Sequence, residues 1–69
     1  MASFVLCIAS GGYEASLEPR KIYRRLDDEK AAADGMVRVI DESGEDYLFP
    51  ADLFVPIEVP AEAETALAG

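Results

Sequence analysis

Two short runs concentrate the residues that could do chemistry. Asp41, Glu42, Glu45 and Asp46 set carboxylates along one acidic stretch, and Arg20, Lys21, Arg24 and Arg25 set cations along another. Hard cations take several carboxylate oxygens, but the acidic run is shorter than a calcium loop of about 12 residues and lacks its ligand spacing. A solvated hairpin tip is the expected role. Glu42 and Glu45 would act as a general acid and base only if their surroundings pushed their pKa values apart, and a solvated turn has no evident means of doing so.

The usual nucleophiles also lack activation. Histidine is absent, so Ser10, Ser16 and Ser43 have no imidazole to take their protons. Lys21 and Lys30 sit in charged, polar surroundings that favour a solvated ammonium. Cys7 lies in the apolar run Phe4-Val5-Leu6-Cys7-Ile8, with neither a cationic neighbour nor a helix N-terminus in the local sequence to lower its pKa. A buried core thiol is expected. No catalytic, metal or cofactor residue is assigned, and the chain is not expected to be an enzyme.

Binding has more material. Tyr13, Tyr23, Tyr47, Phe49 and Phe54 could supply large contact area at low entropic cost. In a regular strand Tyr47 and Phe49 share one face and Leu48 takes the other. If Leu48 faces the core, Tyr47 and Phe49 form an outward patch; if Phe49 is core, Leu48 joins the surface. The expected partner surface comprises Tyr47, Phe49, Pro50, Phe54 and Tyr23, with the acidic hairpin steering a basic partner. Self-association through the same face, or service as a regulatory subunit of a larger enzyme, fits equally. The alternative is a small nucleic-acid-binding module in which the strip Arg20 to Arg25 contacts RNA and Tyr23 stacks a base.

Composition limits these readings. Fourteen acidic against six basic side chains give a net charge of -8, a field that repels phosphate backbones and makes nucleic acid an unfavoured ligand. The basic strip can instead balance the acidic hairpin within the chain. A domain of 69 residues buries only about 60% of its unfolded surface, and a hydrophobic content of 51% suffices for one core. One cysteine permits no internal disulfide and suits a reducing compartment. No run approaches the roughly 18 apolar residues of a membrane span, and the N-terminus lacks the cationic start of a secretory signal. A bacterial-type cytoplasm is therefore expected, with no membrane partner.

The elements that must position these groups are short. Phe4 to Ile8 reads as a strand ended by Ser10-Gly11-Gly12, and Tyr13 to Pro19 as an irregular connection anchored by Tyr13 and Leu17. Lys21 to Leu26 reads as a strand, followed by a short helix or turn near Asp27 to Ala33 that stops at Gly35; one helix from Pro19 to Ala33 is the competing reading. Met36 to Asp41 and Tyr47 to Phe49 form a hairpin with Val37 and Val39 inward and Gly44 left-handed at the turn. Pro50 begins a one-turn helix or 3₁₀ segment, and Val55 to Val59 returns as a strand. Residues 1–59 make one domain, and residues 60–69 a flexible tail in which a short helix is the alternative.

Tyr47-Leu48-Phe49-Pro50-Ala51-Asp52-Leu53-Phe54-Val55 resembles the C-terminal part of Src-homology-3-like barrels, where a strand passes through proline and one helical turn into the last strand. The wider resemblance, over Phe4 to Val59, is one of strand order. It implies a mainly β fold, a small SH3-like antiparallel barrel of about five strands. Relatives in that superfamily bind polyproline helices in aromatic grooves, which here implies Pro50, Phe54 and Tyr13. The chain departs from that pattern in having no Trp and no Ala-Leu-Tyr-Asp-Tyr opening, and Asp27 to Asp34 only loosely matches the acidic specificity loop. The whole chain also resembles a small conserved bacterial protein of unknown function.

Overall fold

Period-two alternation in five short strands produces one apolar inner face. In the computed structural model, which describes residues 3–68, these are β1 (Ser3–Cys7), β2 (Ile22–Leu26), β3 (Met36–Ile40), β4 (Asp46–Pro50) and β5 (Phe54–Ile57). Val5, Cys7, Tyr23, Val39, Phe49 and Phe54 pack there with Leu17 and Leu53 from the connections, and Val37 leans on the cluster. Every pairing is antiparallel, and the strands run β4-β3-β2-β1-β5 in one open sheet. The fold is therefore mainly β. This open sheet is compatible with the expected SH3-like barrel but is not closed.

Local chemistry explains the joints. α1 (Glu29–Ala33) starts where the Asp28 carboxylate accepts the Ala31 N–H at 3.0 Å. Gly35 N–H then donates to the Ala32 carbonyl as the chain turns back into β3. The single helix from Pro19 to Ala33 does not form, because Ile22 to Leu26 gains ladders on both sides as a central strand. Between β3 and β4, Gly44 N–H bonds to the Asp41 carbonyl and Asp41 N–H to the Glu45 carbonyl. That pattern is a turn over Glu42, Ser43 and Gly44, with Gly44 left-handed at φ 86°.

Both prolines in strands lie on edges. Pro50 closes β4 and leads into the 3₁₀ turn Ala51–Leu53, while Pro56 lies within β5, opposite Val5. A missing N–H is tolerated there because edge strands leave one side unpaired.

The long connection from Ile8 to Lys21 is folded onto the domain. Tyr13 accepts backbone bonds from Ser16 and Leu17, the Leu17 side chain plugs the core, and Glu42 N–H donates to the Ser16 carbonyl of the same loop. The loop returns through a bulge in which Arg20 N–H donates to the Cys7 carbonyl and Cys7 N–H to the Lys21 carbonyl. Arg20 takes φ 73° there, a left-handed value that favours glycine.

The second face of the sheet is also apolar. Phe4 is buried on it, opposite Arg24 on one side and Ile57 on the other, outside the main cluster. α2 (Ala61–Ala68) packs against β2 at this face, where Leu67 borders a cleft shared with Ile22, Arg24 and Ile40. The segment expected as a frayed tail is helical over these residues.

Three substitutions probe packing and backbone strain. Phe49→Ala should lower the unfolding free energy by about 3–5 kcal/mol in urea titrations, as removal of a buried ring does. Arg20→Gly should instead raise it by about 1 kcal/mol, by relieving the left-handed backbone. Gly11→Ala should destabilise, because φ is 54° and a Cβ would lie 2.7 Å from Leu53 Cδ2.

Candidate functional site

The expected aromatic surface divides in two. Phe49, Phe54 and Tyr23 face inward, with Phe49 and Phe54 ring centroids 6.1 Å apart and Tyr23 and Phe54 6.5 Å apart, both edge-to-face. These three are core; Tyr23 and Phe54 are withdrawn from the surface, while Phe49 also floors a groove beside β4. The physical reason is core volume: with no Trp and one small sheet, the inner face is filled by these three rings. Phe54 is likewise withdrawn from the set Pro50, Phe54 and Tyr13 that the family resemblance implied. Pro50 remains half-buried at the end of β4.

Placing Phe49 inside puts Leu48 outside, the second of the two arrangements considered for this strand. Tyr47 shares the inner side with Phe49 but lies towards the hairpin, where it stays 48% exposed, and Leu48 is 41% exposed on the opposite side. Tyr13, 40% exposed, reaches over from the long loop and meets the Phe49 ring edge-to-face at 5.2 Å and 89°. A groove of about 350 Å³ opens between these elements, bordered by Tyr13, Ser16, Glu45, Tyr47 and Leu48 and floored by Phe49. The Tyr47 hydroxyl donates to Glu45 Oε2 at 2.7 Å, fixing a carboxylate on the rim and raising the phenol's pKa.

The four hairpin carboxylates go to different partners. Asp41 accepts the Ser43 N–H at 2.8 Å and the Ser43 hydroxyl, an Asx-type turn. Burial pushes its pKa up, yet the donors from Ser43, Ser16 and Glu45 outweigh this and hold it below the usual carboxylate range. Glu42 takes Lys21 Nζ at 2.7 Å and the Tyr23 hydroxyl at 2.5 Å; both hydrogen bonds lower its pKa. Asp46 pairs with Arg38 at 2.9 Å, and Arg38 also bonds the α1 cap Asp28 at 2.9 Å. The turn is thus wired into β2, β3 and α1. Among the described residues no group of three or more His, Cys, Asp or Glu converges as metal ligands would.

The basic strip is similarly dispersed. Lys21 is engaged by Glu42, with its ammonium 5.9 Å from the Tyr23 ring centroid, and Arg25 bonds Ser3 Oγ at 2.8 Å and Asp27 at 3.2 Å. Arg24 lies on the opposite face of β2 from these two, with a buried Nε that has no hydrogen-bond partner, and Arg20 is exposed at the bulge. Alternation sends consecutive cations to opposite sides of the sheet, so they form no continuous strip for a phosphate backbone. Tyr23 is buried, its hydroxyl also accepting the Glu18 N–H at 2.8 Å, and cannot stack a base.

Cys7 is fully buried, its thiol donating to the Ala9 carbonyl at 3.2 Å, and burial pushes its pKa up. This is the inert core thiol expected. Leu48 was a surface residue in only one of the two arrangements, Glu45 was expected only to steer a partner from the hairpin, and Ser16 was not expected at the site. The approach of Tyr13 and Ser16 to the hairpin depends on the long loop folding back, a contact no local pattern encodes. No helix among the described residues is long and apolar enough to cross a membrane.

In comparisons with known proteins, the chain matches no family model, no curated protein sequence and no solved structure.

The Glu42 bonds set an acid limit. A carboxylate whose pKa is lowered by folding contributes stability above its unfolded value, lost as pH falls through the folded value. Unfolding midpoints should therefore decline as pH drops past about 4.5, the ordinary glutamate value. Glu42→Gln should lower stability at neutral pH and flatten that decline in thermal melts across the acid range.

Proposed function

We propose that this chain is a small Src-homology-3-like interaction module that binds a basic, extended segment of a protein partner in the groove beside β4. The observation that carries this reading is the joint exposure of Tyr13, Tyr47 and Leu48 around a groove with Glu45 fixed on its rim. Tyrosine faces accept a Lys or Arg cation, worth about 0.5–1 kcal/mol at an exposed site. The aliphatic stem of the same side chain can rest on the Phe49 floor. Glu45 and the net charge of -8 favour a cationic visitor and speed its encounter.

This reading keeps Tyr47 and Phe49 from the expected partner surface and adds Tyr13, Leu48 and Glu45. It departs from polyproline recognition, because Phe54 is withdrawn into the core and Tyr13 faces Phe49 instead. RNA binding has less support, since Lys21 and Arg25 are already held by carboxylates.

Fluorescence anisotropy with a labelled Arg-Val-Arg-Val-Arg-Val peptide tests the reading, with Glu-Val-Glu-Val-Glu-Val as the charge control. The basic peptide should bind, weaken as salt rises, and weaken at least fivefold with Tyr47→Ala, whose circular dichroism should match the parent. Equal binding by the parent and Tyr47→Ala would remove the groove from consideration.

A further inference from the structure

We infer that the bound basic segment adds to the sheet as a sixth strand along the free edge of β4. This rests on the groove reading above and assigns its geometry. Among the described residues β4 ends the sheet, with β3 on one side and no strand on the other. Hydrogen-bond phase decides which of its backbone groups are free. Asp41 N–H bonds the Glu45 carbonyl, and at the far end Ala51 N–H bonds the Gly35 carbonyl. Between them the register sets Tyr47 opposite Val39 and Phe49 opposite Val37. Because bonded and non-bonded pairs alternate in an antiparallel ladder, Tyr47 and Phe49 bond to β3 while Asp46, Leu48 and Pro50 point their backbone groups out of the sheet. The outer edge therefore presents the N–H and C=O groups of Asp46 and Leu48 and the carbonyl of Pro50.

Sheet edges are commonly protected by lysine, central proline, bulges or a covering segment. β4 contains no lysine, its one charge is held by Arg38 at 2.9 Å, and its proline stands at the end. The other edge, β5, is interrupted within its four residues by Pro56. An added strand would lie about 4.8 Å from β4, and its side chains would alternate between the two sides. One set would enter the groove between Tyr13, Tyr47 and Glu45; the other would lie beside Leu48. The site therefore suits alternating basic and β-branched residues. Charge selects this occupant over a second copy of the chain, because pairing β4 with β4 would bring two chains of net charge -8 together along a seam carrying Glu45 and Asp46 from both.

The experiment uses the full chain and the Arg-Val-Arg-Val-Arg-Val peptide, read by amide hydrogen exchange and anisotropy. The peptide should slow exchange of the Leu48 amide at least tenfold. N-methylation of the peptide at alternate residues, in one of the two phases, should weaken binding at least tenfold while the other phase binds as the parent does. Leu48→Pro, which removes an outward N–H and leaves the bonds to β3, should weaken the parent peptide with circular dichroism unchanged. If the peptide binds and Tyr47→Ala weakens it, but neither N-methylation phase nor the Leu48 amide responds, strand addition is overturned and the groove reading stands. If no basic peptide binds, both fall. A concentration-dependent dimer that protects the Leu48 amide without peptide would also overturn the inference, in favour of self-pairing.

Discussion

Burial of the Phe49 ring is the constraint from which the rest of the molecule follows. Strand side chains alternate with a period of two, so putting one ring inside assigns the side of every neighbour on β4 and, through cross-strand pairing, on β3. Phe49 opposite Val37, with Val39 opposite Tyr47, makes one continuous inner face. Phe54 and Tyr13 approach the same ring from different parts of the chain. A slip of one residue would bury Leu48 and expel Phe49, leaving Tyr13 without its ring partner. The inner face, the position of the long loop and the outer edge of β4 thus share one cause.

Charge has a second, more local role. Although acidic residues outnumber basic ones, the cations are placed where they hold the chain to itself: Lys21 to the hairpin turn, Arg25 to Ser3 and Asp27, and Arg38 to both the α1 cap and β4. Solvent-screened pairs of this kind contribute about 0–1 kcal/mol each. Their value lies in geometry, because they tie loops to strands already formed by apolar burial. Glu42 shares its oxygens between Lys21 and Tyr23. Of the hairpin carboxylates, Glu45 stands on the groove rim, where it accepts the Tyr47 hydroxyl.

The groove and the sheet edge belong to a part of the domain where the core runs out. A sheet this small cannot cover both sides of its end strand, so Tyr47 and Leu48 remain accessible on opposite sides of β4. The other broad apolar area, around Phe4, Ile22 and Ile40, is met by α2 from the same chain. The two faces are thus treated differently: one leans on the chain's own helix, while the edge beside the groove keeps unpaired backbone and aromatic surface together.

Much of the architecture was legible in local patterns. β-branched and aromatic runs marked the strands, the run Asp27 to Ala33 with its stop at Gly35 marked α1, Gly44 marked the hairpin turn, and Pro50 marked the passage into the 3₁₀ segment. These signals are short-range, set by backbone sterics, capping and turn preference. The candidate site was less legible: Tyr47 and Phe49 line the groove, but Phe54 and Tyr23 were expected at a surface they do not reach. Alternation states that Tyr47 and Phe49 share a side; it cannot say which side is inside, because that depends on which rings fit together across strands. By itself, then, the sequence determined the order and type of the five strands, α1 and the 3₁₀ turn. Tertiary structure alone decided the parity of β4, the meeting of Tyr13 with Phe49, the dispersal of the basic strip and the edge position of Leu48, because each arises from packing between residues distant in the chain.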